Sequence, residues 1–222
     1  MSDNLKSILV YDENAESNES FATLEERADE VDTVKGMKEA RAIISDLKKI
    51  IRKKELTSLS APAIGHSKRI FCINFSDNEV KTFINPIIVK AEGLTLSDEH
   101  CTSLPGKRYL VPRNTKLTVM YTSPLDKVES REVTGVAACV FQHELQHLEG
   151  ILLSDIGLEI DDRFDEASVE EREELINAYL DSLDIKQKEI EKEIESDKDL
   201  KQISDAIKFM NSVRDGETEQ VI

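Results

Sequence analysis

Residues 135–150 read Gly-Val-Ala-Ala-Cys-Val-Phe-Gln-His-Glu-Leu-Gln-His-Leu-Glu-Gly. Their apolar spacing predicts a helix with Thr134 as N-cap, running to about Glu149 and stopped by Gly150. Inside it lies His-Glu-x-x-His. On a helix, His143 and His147 stand one turn apart on one face, so two imidazoles can reach one metal ion, while Glu144 projects beside them and can accept a proton from water. Val136, Val140, His143 and His147 fall on one stripe, which predicts that the histidines continue an apolar, core-facing surface where an imidazole needs a partner. A chance match on a solvated face would not need that continuity.

Upstream, Met37, Ala40, Ile44, Leu47 and Ile51 recur at helical spacing and predict a helix from about Gly36 to Glu55. Candidate strands follow at 69–75, 80–85, 87–96, around 110–111, 116–122 and 128–133, with Ser123-Pro-Leu-Asp126 as a turn between the last two. Helix, several strands, then helix is the order of an α+β fold, with mostly antiparallel sheets packed around the central metal-binding helix.

The chain has 222 residues, a net charge of −16 and 39% hydrophobic residues, enough for a folded domain with a real core. Charge divides it. From Glu159 to the end there are 21 acidic and nine basic residues, no proline, and Leu/Ile spacing of surface helices, with Leu175, Tyr179 and Leu183 as one stripe. The expected organisation is therefore a first domain over 1–158, which carries the His-Glu-x-x-His helix, and an acidic helical C-terminal extension over 159–222. Such an acidic chain repels phosphates, which argues against nucleic-acid binding. The sequence has no apolar run of membrane-spanning length, and its acidic, Ser-rich start differs from a signal peptide, so the expectation is a cytoplasmic protein without a membrane partner.

A metal held by two histidines needs a third protein ligand if one position is to stay open for water. The peptidase pattern that places a third histidine after His-Glu-x-x-His-x-x-Gly is broken here, because Leu153 occupies that position. Glu166, Glu170, Glu173 and Glu174 remain formal candidates, although such clusters more often form a solvated helix face. Cys101 is the other candidate. It lies in the polar, turn-rich segment Glu99-His-Cys-Thr-Ser-Leu-Pro-Gly106, whereas Cys72 and Cys139 sit in apolar runs and read as buried packing residues.

Three ordered segments, Leu59-Ser-Ala-Pro-Ala-Ile-Gly65, Glu99-His-Cys-Thr-Ser-Leu-Pro-Gly106 and Gln142-His-Glu-Leu-Gln-His-Leu-Glu-Gly150, resemble the motifs of the peptide deformylase family. That family's patterns are Gly-x-Gly-Leu-Ala-Ala-x-Gln, Glu-Gly-Cys-Leu-Ser and Gln-His-Glu-x-Asp-His-Leu-x-Gly. Phe83-Ile-Asn-Pro86 and Arg108-Tyr-Leu-Val-Pro-Arg113 also resemble its connecting sequence, so the likeness spans about residues 30–157. It implies a metallo-amidohydrolase that removes the formyl group from N-formyl-methionyl peptides or nascent chains. The implied ligands are Cys101, His143 and His147, holding Fe(II) with zinc or nickel possible. Glu144 would be the general base and the backbone N–H of Thr102 an oxyanion donor. Ser58 and Leu59 would contact substrate, with Val136, Cys139 and Val140 lining an apolar pocket. Contact with the ribosome or another protein is a further implied partner.

The chain is a divergent member on this reading. Ala63 stands where the family pattern has a glutamine, which removes one side-chain donor to the oxyanion. Leu56 and Ser58 replace the two glycines of the first motif, His100 a glycine of the second, and Gln146 an aspartate of the third. Two alternatives follow: a deformylase-like hydrolase with a different N-acyl substrate, and a metal-bound pseudoenzyme serving as a protein-interaction module. Glu144 favours catalysis, since a pure binding module has little need of a carboxylate beside the metal.

Overall fold

The structure, a computed structural model, describes residues 7–10, 22–76 and 79–196. A four-residue helix, α1 (Ala22–Glu25), precedes α2 (Met37–Lys54). Met37, Ala40, Ile43, Ile44, Leu47, Ile50 and Ile51 form the buried face of α2, and Arg52, Lys53 and Lys54 lie in its last turn, where cations favour the carbonyl end. Five strands build the first sheet: β1 (Ser58–Ser60), β2 (Ile70–Ser76), β3 (Glu79–Glu92), β6 (Lys116–Thr122) and β7 (Val128–Thr134), in the order β1-β2-β3-β6-β7. The second sheet comprises β4 (Thr95–Cys101), β5 (Leu104–Arg113) and β8 (Leu158–Ile160), in that order. Every strand pair in both sheets is antiparallel, and with the helices this gives the α+β fold expected from the sequence.

Several boundaries differ from the sequence reading. The segments 80–85 and 87–96 are one strand up to Glu92, carried past Pro86 by an irregularity in pairing between Ile84 and Ile87, which is where a residue without an N–H is tolerated. Polar residues 97–100 belong to β4, an edge strand that among the described residues pairs with β5 alone. Thr134 ends β7. The N-cap of the next helix is Gly135, whose φ of 60° suits glycine.

That helix, α3 (Val136–Leu148), has two working faces. Ala138, Phe141 and Leu148 enter a core with Phe71, Phe83, Val119 and Tyr121, in which the Phe141 ring meets Phe71 and Phe83 edge-on at 5.0 and 5.2 Å. Glu144 and His147 are buried on the other side. The expected stripe through Val136 and Val140 is corrected accordingly: Val136 is 78% exposed and Val140 packs, half-buried, against the aromatic core. A second core joins α2 to both sheets through Leu59, Ile70, Cys101, Leu104 and Tyr109.

The first compact unit extends to Asp162, because β8 pairs with β5 and keeps residues 158–160 in the smaller sheet. It also contains α4 (Leu153–Ile156). The second unit begins at Arg163 and holds most of α5 (Asp162–Glu166) and α6 (Val169–Ser196). Ser168 caps α6: its hydroxyl accepts from the Glu171 N–H at 3.2 Å and the Glu171 carboxylate accepts from the Ser168 N–H at 2.9 Å. The remainder of the acidic extension, 197–222, lies outside the described residues. No helix among the described residues is long and apolar enough to cross a membrane.

Just after α3 the chain passes under the N-terminal segment, where the Ala28 N–H donates to the Leu148 carbonyl at 2.9 Å. Gly150 has φ +73°, and a Cβ there would lie 2.5 Å from the Glu25 carbonyl oxygen. Gly106 has φ +77° with open space around it. Gly150→Ala is therefore expected to lower the unfolding free energy in urea by about 2 kcal/mol or more, and Gly106→Ala by about 1 kcal/mol, the cost of the left-handed backbone alone.

Candidate active site

β4 delivers Cys101 at its end, and α3 delivers His143, Glu144 and His147 from its polar face. One ligand atom from each of Cys101, His143 and His147 lies within 4.8 Å of the other two. The Cys101 Sγ and His147 Nε2 are 3.3 Å apart. Glu99 Oε2 lies 3.0 Å from His143 Nδ1. A carboxylate only accepts, so Nδ1 carries a proton, and Nε2 is the nitrogen left for a metal ion. His147 Nδ1 and Glu144 Oε2 are buried without a hydrogen-bond partner among the described residues. One thiolate and two imidazoles converging in this way suit a divalent transition-metal ion.

Arg113, with its side chain 1% exposed, holds the group together. Its Nε and Nη2 donate to the two Glu99 carboxylate oxygens at 2.7 and 2.8 Å, and its Nη1 donates to Gln146 Oε1 at 2.7 Å. Gln142 fastens α3 from the same side, donating to the Asn114 carbonyl at 2.9 Å and accepting from the Asn114 N–H at 3.0 Å.

The charges follow from these contacts. Burial alone would raise the Glu99 carboxyl, but the Arg113 guanidinium and His143 outweigh it and hold it at about 2. Burial likewise opposes ionisation of Cys101, yet His143 and His147 bring the thiol down to about 5, making it a thiolate at neutral pH. Cys72 shows the contrast: burial pushes it up to about 11, as expected of a packing residue. The Glu144 carboxyl is raised, chiefly by burial, against the pull of the two histidines and Ser58.

A cavity of about 270 Å³ opens onto these groups. Its walls are residues 55–59, Ala63, residues 100–103, His143, Glu144 and His147. Of the residues singled out in the sequence, Ser58, Leu59, Cys101, Thr102, His143, Glu144 and His147 meet here. Val136, Cys139 and Val140 do not line this cavity, since the first turn of α3 carries Val136 to the surface and Cys139 is buried. His100 and Ala63 do line it. Ser58 donates a 2.6 Å hydrogen bond to Glu144 Oε1. That contact, and the parts played by Arg113, Glu99 and Gln146, were not read from the sequence. The available signal was adjacency, since Glu99 lies two residues before Cys101 and Gln146 immediately before His147.

Residues 6–161 match the family model described as polypeptide deformylase. The chain belongs to the polypeptide deformylase family. Among its curated relatives, a peptide deformylase of Dictyoglomus turgidum is 31% identical over 117 residues, covering 53% of this chain and 76% of that protein. One from Desulfitobacterium hafniense is 38% identical over 97 residues, covering 44% and 64% respectively. Among solved structures, the peptide deformylase of Thermotoga maritima superposes with a TM-score of 0.61 at 26% identity, covering 69% of this chain and 97% of that one. That of Thermus thermophilus gives 0.57 at 30% identity, covering 82% and 97%. This deformylase-family chain is thus a deformylase-like hydrolase of a metalloenzyme family, and its candidate metal site is the Cys101, His143 and His147 group.

The Arg113–Glu99 pair sets a stability prediction. Glu99→Gln leaves a buried guanidinium without its counter-ion and is expected to lower the unfolding free energy in urea by about 3 kcal/mol. Asp98→Asn, which breaks the exposed pair with Arg108, should change it by less than about 1 kcal/mol.

Proposed function

We propose that Cys101, His143 and His147 hold one metal ion and that Glu144 is the general base in removal of the formyl group from N-formyl-methionyl peptides or nascent chains. The observation that carries this reading is the placement of Glu144, buried beside the three candidate ligands with one carboxylate oxygen unpartnered among the described residues, in the wall of the same cavity. When bound, the ion lowers the pKa of water and polarises the formyl carbonyl. The donor set suits Fe(II), our preferred ion, and also zinc or nickel.

In this reading Glu144 removes a proton from water as the water oxygen bonds to the formyl carbon. The proton then passes to the amine nitrogen as the C–N bond breaks, leaving formate and a free N-terminus. Thr102, in the cavity wall, supplies its backbone N–H to the carbonyl oxygen as that oxygen gains negative charge. The Ala63 side chain supplies no donor. β1 lies at the edge of its sheet and lines the cavity with Ser58 and Leu59, so its outer backbone groups can pair with an extended peptide. Nascent formylated chains emerge at ribosomes, so contact with the ribosome and a cytoplasmic setting accompany this reading.

The test is purification without air, elemental analysis, and formate release from a formyl-Met peptide. One ion per chain is expected in the wild type and in Cys72→Ala, and loss of the ion in Cys101→Ala and His147→Ala. Glu144→Ala should retain the ion yet release formate at least about 100-fold more slowly. Equal rates from wild type and Glu144→Ala would overturn the assignment of the base. Restoring a side-chain donor with Ala63→Gln should raise turnover by about 10-fold, part of what such donors usually contribute.

A further inference from the structure

The two carboxylate oxygens of Glu144 differ in their surroundings. Oε1 accepts the 2.6 Å hydrogen bond from the Ser58 hydroxyl, while Oε2 is buried and unpartnered among the described residues. A hydroxyl has one proton to donate, and a short bond to an ionised carboxylate is among the stronger kinds. The last torsion of a glutamate is broad, so a carboxylate held at neither oxygen samples many orientations. Ser58 is a rigid anchor because its backbone is in β1, in register with Ile73 of β2. It also stands where the first family motif has glycine, which makes the contact a property of this chain.

We propose that Ser58 is a positioning residue, pinning Oε1 of Glu144 so that Oε2 is the oxygen that takes the proton from water and returns it to the leaving amine. The inference rests on the deformylase reading and refines it. The water O–H bond breaks as the bond from oxygen to formyl carbon forms, and the proton moves to Oε2. When the C–N bond breaks, that proton joins the amine nitrogen. The Ser58 hydroxyl keeps its own proton throughout.

Ser58→Ala, Ser58→Gly and Ser58→Thr, each loaded with metal and checked by elemental analysis, provide the test with a formyl-Met peptide. The alanine and glycine variants should keep full metal, lose about 10-fold in kcat and hold KM within about 2-fold. Ser58→Thr, which retains the hydroxyl, should recover kcat to within about 3-fold of wild type. A second readout is independent of turnover. In urea unfolding, Ser58→Ala should shift the folding constant at least about 5-fold more in the wild-type background than in Glu144→Ala. Unchanged kcat in Ser58→Ala, an inactive Ser58→Thr with its metal in place, or no coupling in the unfolding cycle would each overturn the inference while an active wild type leaves the deformylase reading standing. A metal-loaded wild type that releases no formate overturns that reading and this inference with it.

Discussion

A guanidinium with 1% of its side chain exposed must find every partner it needs inside the protein, and Arg113 finds them on the elements that carry the site. It stands at the end of β5, grips Glu99 of β4 with two hydrogen bonds and reaches Gln146 of α3 with a third. Glu99 is two residues before Cys101, and Gln146 immediately precedes His147. One cation therefore ties the strand bearing the thiolate to the helix bearing both imidazoles. Glu99 extends the tie to His143 and fixes which ring nitrogen faces the other donors. In this chain the charges of Arg113 and Glu99 balance each other, and the amide of Gln146 adds none.

The parts of the fold with strong periodicity were legible in the sequence. α2 shows its buried face at helical spacing, and the His-Glu-x-x-His pattern places three candidate site residues together on α3. The third candidate donor, Cys101, was legible only through its polar setting and the family likeness. β4 was obscured because an edge strand needs no apolar alternation, and β3 was split by Pro86, which the pairing irregularity accommodates. Val136 was misread as core-facing because helical spacing marks a face without saying what covers it. The Ser58–Glu144 bond joins residues 86 positions apart, a separation at which no local pattern operates.

Cysteine shows how surroundings decide chemistry at fixed residue type. Cys72 and Cys101 are both buried, and burial pushes both thiols upward. Cys72 has a threonine hydroxyl 3.4 Å away and stays protonated. Cys101 faces two imidazoles, and its hydrogen bonds to them reverse the outcome. The same sequence thus carries an inert thiol in β2 and a thiolate at the end of β4.

β1 consists of only three residues, Ser58–Ser60, a span of about 10 Å at the usual rise of a strand. Any chain laid along its outer edge is matched over that length and then released into solvent. Recognition built on this edge ends within a few residues of the cavity, and it relies on backbone groups common to all sequences. If the proposed function holds, such a surface would sort chains by what they carry at their tip and treat everything behind it alike.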